Sequence, residues 1–223
     1  MITLVVDAST YVGTTAVLRD GRVVAEGEAA MRGRESEALM PTVAAVLARA
    51  RVRPRDLSRL VCGSGPGSFT SLRIAASIAK GLAVGIGCPL FAVSSLALLA
   101  AGDGAPPPGR YVAVLDALRE EAYVGGYEVE KSAAITVIFA ERLVRQSEVR
   151  QLASSLGGVT VGPGQNIGRA PHARGAAALE SLFATQGPVD LATWEPRYGR
   201  KAEAQMRWEA THGQPLPLGG SAT

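Results

Sequence analysis

The sequence predicts an α/β protein assembled from two loosely similar halves. Three observations carry that expectation. A strand-like run ending in an acid occurs twice, as Ile2–Asp7 and as Tyr111–Asp116. Each half later brings a short apolar strand into a glycine–proline turn, Gly65-Pro66-Gly67 in the first and Gly162-Pro163-Gly164 in the second. Between the halves, the stretch from Gly102 to Gly109, with Pro106-Pro107-Pro108 inside it, has the composition of a linker. A length of 223 residues, 47% hydrophobic and 19% charged, suits one or two domains with a good core.

The first half opens as a three-stranded meander. Ile2–Asp7, Thr14–Arg19 and Arg22–Ala29 are the strands, and Asp20-Gly21 between the last two is a strong hairpin signal. Leu39, Val43, Val46, Leu47 and Ala50 recur at helical spacing, so 35–50 is expected to be an amphipathic helix, with Pro41 in or near its first turn. A short turn at Pro54–Leu57, a buried strand at Leu60–Cys62, a long helix at Thr70–Ile86, a strand at Pro89–Val93 and a helix capped by Ser94 follow. The second half is expected to hold strands at Tyr111–Asp116, Glu121–Val129 and Val159–Val161, with weaker ones at Ile135–Phe139 and Arg142–Val144. Helices are expected at Ser147–Ser155, Ala176–Ala184 and Arg197–Ala210. The division is 1–102 for the first lobe, 103–190 for a smaller second lobe, 191–212 for a segment returning to the first lobe, and 213–223 for a flexible tail.

Composition narrows the function classes. The net charge of +3 and a pI of about 9.1 permit contact with nucleic acid without arguing for it, because arginine is spread along the chain. Cys62 and Cys88 lack metal spacing and read as small buried residues in a reducing compartment. Met1–Asp7 is too short and lacks the basic start of a signal peptide. Leu72–Ile86 is broken by Arg73 and Lys80 and falls short of a membrane span. The expected location is the cytoplasm, with no membrane partner. The arginines at 49, 51, 53 and 55, and the basic residues Arg197, Arg200, Lys201 and Arg207, are most simply solvated faces, with RNA phosphate contact the alternative.

The run Cys62-Gly63-Ser64-Gly65-Pro66-Gly67-Ser68-Phe69-Thr70-Ser71-Leu72-Arg73 is the most informative stretch. A glycine loop feeding a helix start aims free N–H groups at an anion, or lets two backbones approach closely. The candidate nucleotide or phosphate residues are Asp7, Ser9, Thr10, Gly65, Gly67 and Ser68. Against them stand Tyr11 and Val12, bulky in a turn where phosphate loops favour small residues. Asp7 and Ser68 also have ordinary readings as capping residues. The helix that follows is apolar nearly all round and must be covered on nearly all sides. With the earlier helix it is expected to form an interface through Leu39, Met40, Val43, Leu47, Leu72, Ala75, Ala76, Ala79 and Ala83, closing a four-helix bundle with a partner.

The duplicated pattern is that of the actin, Hsp70 and sugar-kinase group, the ASKHA fold of paired ribonuclease-H-like lobes. Several segments sharpen the likeness. Val5-Val6-Asp7-Ala8-Ser9-Thr10, the block Gly65-Pro66-Gly67-Ser68-Phe69-Thr70-Ser71-Leu72-Arg73, Asp116-Ala117-Leu118-Arg119-Glu120-Glu121-Ala122-Tyr123 and Pro196-Arg197-Tyr198 resemble, in order, motifs of the bacterial TsaB (YeaZ) family. Ser71 stands where that family usually has glycine. The resemblance implies an actin-like fold with a degenerate cleft. The implied role is that of a noncatalytic subunit in making threonylcarbamoyladenosine beside the tRNA anticodon. Its implied partners are a catalytic paralogue (TsaD), an ATPase (TsaE), tRNA through the complex, and a second copy of itself when alone. ATP and metal are implied for the partner complex, and none for this chain. Catalytic members of the wider family carry a His-x-x-x-His metal pair on the helix after the Pro89–Val93 strand, and here those positions are Ser95 and Leu99. His172 and His212 lie far down the chain. The alternative is an actin-like ATPase or small-molecule kinase using Asp7 and the glycine loops. A metallopeptidase is a poorer third reading.

Overall fold

The computed structural model describes residues 1–32, 37–102, 107–132, 134–199, 208 and 211–213. Its first sheet contains β1 (Ile2–Asp7), β2 (Val12–Arg19), β3 (Arg22–Ala30), β4 (Arg59–Gly63) and β5 (Leu90–Val93), in the order β3-β2-β1-β4-β5. The β1–β2–β3 meander is antiparallel, whereas β4 and β5 join in parallel after helical crossovers. Asp20 and Gly21 take φ of 50° and 78°, the double left-handed turn that matches the twist of a hairpin. The central strand is wholly apolar from Leu4 to Val6 because both its faces are covered. Leu4, Val6, Leu60 and Cys62 face α1 (Leu39–Arg49) and α2 (Phe69–Ile86). Val5 and Val61 point the other way, into the core around α3 (Ser95–Ala101).

The second sheet is β6 (Gly109–Asp116), β7 (Glu121–Val129), β8 (Ile135–Arg145) and β9 (Val159–Val161), ordered β8-β7-β6-β9. One face is covered by α4 (Gln146–Ser155), where Val149 and Ala153 meet Val112, Val114 and Val124. The other face presents Tyr111, Ala113, Leu115 and Tyr127 to α3. All seven residues of α3 are buried between the two sheets, so both lobes share one hydrophobic core. A 3-10 turn at Ala173–Ala178 and α5 (Glu180–Gln186) complete that core.

Several expectations shift by a few residues. The two weak strands of the second half are one bulged strand, β8. The helix expected at Ala176–Ala184 breaks at Leu179 into the 3-10 turn and α5. Pro41 does sit in the first turn of α1, and Ser94 caps α3 by accepting from the Leu96 and Ala97 N–H groups. Arg197–Gly199 is not helical, and most of the helix expected at 197–210 lies outside the described residues, as do linker residues 103–106 and the tail beyond 213. The segment before it runs along the first lobe. Val189 N–H donates to Leu90 O (2.8 Å), Lys80 Nζ to Trp194 O (2.8 Å) and Arg197 N–H to Ser64 O (2.7 Å). Among the described helices only α2 has the length and hydropathy of a membrane span, 18 residues at 1.3. Its inner face packs against β1 and β4, the place of a core helix.

One ionic contact ties α5 to the first sheet. Arg59, buried at the start of β4, donates from Nε to Thr3 Oγ1 (2.9 Å) and from both terminal nitrogens to the Glu180 carboxylate. Its guanidinium also lies 4.9 Å from the Phe183 ring centroid. Removing one partner of a buried pair strands the other charge, at roughly 3–5 kcal/mol for a fully buried pair. Glu180 is half exposed, so Glu180→Ala is expected to cost about 2 kcal/mol, read as a lowered urea midpoint at unchanged m-value. Arg59→Met, which fills the space without a charge, is expected to cost less than Glu180→Ala, and the reverse order would refute this account.

Candidate functional site

The end of β1 meets the glycine loop and the start of α3, where the candidate phosphate residues gather. The chain itself packs this junction. Asp7 is fully buried. Its Oδ2 accepts from Ser9 N–H (3.1 Å) and Ser9 Oγ (2.8 Å), and its Oδ1 accepts from Ser95 Oγ (2.5 Å). The Ser95 hydroxyl in turn accepts from Gly65 N–H (3.1 Å). Carboxylate, serine and glycine loop thus form one chain of hydrogen bonds across three elements. Burial pushes the Asp7 carboxyl above the ordinary aspartate range, although the Ser95 and Ser9 hydrogen bonds and the His172 charge pull the other way. Burial, with the Asp7 carboxylate as a second cause, also pushes the neighbouring Cys62 thiol up, so it behaves as a buried apolar residue.

The glycine loop is packed from both sides. A Cβ on Gly67 would run into the Ser9 carbonyl, which already accepts Ser68 N–H (2.8 Å). Gly65 takes φ of 88°, and a Cβ there would strike the Arg197 carbonyl. The aromatic ring of Tyr198 lies 4.4 Å from that of Phe69, sealing the start of α2. Close backbone approach therefore accounts for both glycines. Ser68 does not cap α2, and its hydroxyl pairs instead with that of Ser71 (3.0 Å). Thr10 turns inward on its own loop, exchanging hydrogen bonds with the Val12 backbone. The structure brings Asp7, Ser9, Gly65, Gly67 and Ser68 together and leaves Thr10 outside their network. In the sequence Ser95 reads only as a lost ligand position. Its role as the anchor of Asp7 was hinted at by one hydroxyl in an otherwise apolar helix.

Ser95 and Leu99 do stand one helical turn apart on α3, and both are fully buried. A hydroxyl committed to Asp7 and an isobutyl group in the core offer no metal-binding donors there. Asp116, at the corresponding strand end of the second lobe, is exposed. Its Oδ1 accepts from Leu118 N–H (2.8 Å) and Gln146 Nε2 (3.1 Å) beside an open basin of about 770 Å³. Glu120 lies in the turn before β7 with left-handed backbone, so it is not on the strand with Glu121.

The two-helix face needs a correction of register. Leu39, Val43, Leu47, Ala75, Ala79 and Ala83 are buried against this chain's own sheet, Leu72 and Ala76 are buried within the chain outside that cluster, and of the nine expected interface residues only Met40, 39% exposed, faces outward. They are the inner faces of α1 and α2. The outer face of α1 is Met40, Pro41, Ala44 and Ala48. That of α2 is Ser77, Gly81, Val84 and Gly85, flanked by half-buried Ile74, Ile78 and Leu82, with Val84 68% exposed. Gly81 and Gly85 meet nothing of their own chain where a Cβ would stand. Each costs about 1 kcal/mol of helix propensity relative to alanine without an internal packing reason.

Comparison with known proteins agrees with this fold. A family model described as TsaD, tRNA N6-adenosine threonylcarbamoyltransferase, matches residues 29–165. The Bacillus subtilis tRNA threonylcarbamoyladenosine biosynthesis protein TsaB is 32% identical over 225 residues, covering 93% of this chain and 98% of that protein. The Escherichia coli TsaB is 32% identical over 167 residues, 72% of this chain and 71% of that one. The solved structure of YeaZ from Pseudomonas aeruginosa superposes with a TM-score of 0.76 at 26% identity, covering 88% of this chain and 99% of its own.

The buried carboxylate gives this site a pH signature. A folded-state pKa above the unfolded value means that the folded state holds the proton longer. Stability is then highest below the unfolded value near 3.8 and declines as pH rises through the raised folded value. Asp7→Asn removes this contribution. The difference in melting temperature between Asp7→Asn and the native chain is therefore expected to shift in favour of the variant as pH rises from 4 towards neutrality. A difference that stays flat with pH would show that Asp7 is not held in this way.

Proposed function

This chain belongs to the TsaB (YeaZ) family and to the wider group that the TsaD model describes, and on that footing we propose that it is a noncatalytic subunit of the machinery that places threonylcarbamoyl on tRNA adenosine. It works in the cytoplasm by docking a catalytic TsaD-like paralogue, with a TsaE-like ATPase joining the pair, and it self-associates through the same face when alone. The observation that carries this reading is the contrast between its two candidate surfaces. The cleft is filled by Ser9, Ser95 and Arg197 of the chain itself, whereas the outer face of α1 and α2 is apolar, small and uncovered. Chemistry has lost its room, and helix packing has kept its surface.

The energetics suit a docking role. Small residues on α2 let a second helix approach at short interaxial distance. Burying apolar area yields roughly 25 cal/mol per Å², from which the cost of association must be subtracted. A coupling of only about 1–3 kcal/mol to the partner's active arrangement would change its activity severalfold to a hundredfold. An independent ATPase or kinase is disfavoured by the same packing, since Gly65 N–H and Ser68 N–H already have partners within the chain.

The test separates folding from docking. Ala76→Glu and Ala79→Arg would unfold the chain, because both side chains are buried. Gly81→Arg and Val84→Glu point outward and are expected to leave the melting temperature within a few degrees of native, yet abolish co-elution with the TsaD-like paralogue on size exclusion. Gly81→Ala is expected to stabilise the isolated chain by up to about 1 kcal/mol. Unchanged co-elution of the Gly81→Arg chain would sink the proposal.

A further inference from the structure

Arginines distant in sequence converge at the pole of the first lobe opposite Asp7. The β2–β3 turn brings Arg19 and Arg22 together as a cross-strand pair. Arg19 Nη2 donates to Ala50 O (3.4 Å), which places that turn beside the end of α1. There stand Arg49 and Arg51, followed by Arg53 and Arg55 around the Pro54–Asp56 turn. Ser58 N–H donates to Ile2 O (2.8 Å), fixing the same loop to the start of β1. All six side chains belong to exposed residues.

The carboxylates nearest this pole are already engaged. Asp56 accepts from the Arg53 guanidinium at 2.9 and 2.8 Å, which holds its carboxyl down at about 2. Asp20 pairs with the Met1 amino group, and Glu180 with Arg59. Among the described residues, none of Arg19, Arg22, Arg49, Arg51 and Arg55 has a carboxylate within ion-pair distance. Arg19 and Arg49 each donate one Nη2 to a backbone carbonyl, of Ala50 and of Glu26, which spends no charge, so five guanidinium groups are left without a carboxylate as a cationic surface. Guanidinium offers a planar fork that matches a phosphate in two-point fashion.

We propose that this pole binds the phosphodiester backbone of RNA. The inference rests on the tRNA-modification reading for its choice of polyanion. Its physical support is the charge complementarity of five arginines to a regularly spaced row of phosphates. A membrane surface fits less well. Among the described residues no exposed Phe, Tyr or Trp lies among these arginines, and interfacial binders pair a basic face with such anchors. The contacts carry no base readout, so recognition at this pole is sequence-independent and salt-dependent.

The experiment titrates an unmodified tRNA transcript with the full chain at several NaCl concentrations, followed by fluorescence anisotropy. The native chain is expected to bind with a steep salt dependence. Arg22→Gln, Arg51→Gln and Arg55→Gln combined are expected to weaken binding at least tenfold and to flatten the log–log salt slope by about 2, near 0.7–0.9 for each lost phosphate contact. The matching triple lysine variant is expected to keep the slope. Overturning results are a glutamine variant that binds like the native chain, a native chain without salt-dependent binding, or stronger binding to phosphatidylserine vesicles than to tRNA. Co-elution of the glutamine variant with the TsaD-like paralogue is expected to be intact, and its loss would reassign these arginines to the protein interface. Failure of the native chain to co-elute would instead strike the docking reading, so the two ideas fail separately.

Discussion

The hydrogen-bond chain from Asp7 through Ser95 to Gly65 is the constraint on which the rest of the structure depends. A buried carboxylate is costly unless donors surround it, and here the donors come from the β1–β2 turn and from the first residue of α3. Meeting that need pulls α3 against the end of β1. Its remaining six residues are then carried between the sheets, where each is buried. The two lobes stop being two bodies with a cleft and become one core. The returning segment finishes the closure through Arg197 N–H and the Tyr198 ring.

Closure at the centre moves the available chemistry to the outside. The same residue type shows this at two places. Gly65 and Gly67 are small because the chain's own backbone presses on them. Gly81 and Gly85 are small with nothing of the chain near them. A glycine that costs helix propensity and fills no internal need is most simply explained by contact with another molecule. The inner face of the same helix, Ala75, Ala79 and Ala83, shows what ordinary burial against a sheet looks like.

Much of this was legible in the sequence. The meander, the Asp20-Gly21 hairpin, the glycine loop and the capped α3 follow from local chemistry that no tertiary contact overrides. The apolar character of α1 and α2 was equally plain, but the direction of each face was not. An alanine-rich helix has nearly the same hydrophobicity all round, so Ala76 and Gly81 cannot be told apart by pattern as inner and outer residues. The sheet beneath decides, and the sheet is a long-range fact. The arginine pole was half visible as the run from 49 to 55. Its other half, Arg19 and Arg22, joins only because β2 ends beside the end of α1. The β8 strand reads in the sequence as two because its bulges opposite Gly126 break the two-residue alternation.

The uncovered apolar face and the basic pole are continuous along one element. The outer residues of α1 pass from Met40 through Ala44 and Ala48 to Arg49, from apolar surface to guanidinium within a single helix. An eleven-residue helix spans about 16 Å, so a protein seated on its apolar part would lie directly beside RNA held at its end. The orientation is electrostatically consistent. Cations at the C-terminal end of α1 are favoured by the helix dipole, and in the proposed arrangement they would stand between an RNA backbone and the carbonyl-rich helix end. On the proposed reading, a chain whose Asp7 and glycine loop are committed to internal hydrogen bonds would still serve a reaction on RNA, by holding the catalytic chain and the nucleic acid side by side on adjoining surfaces.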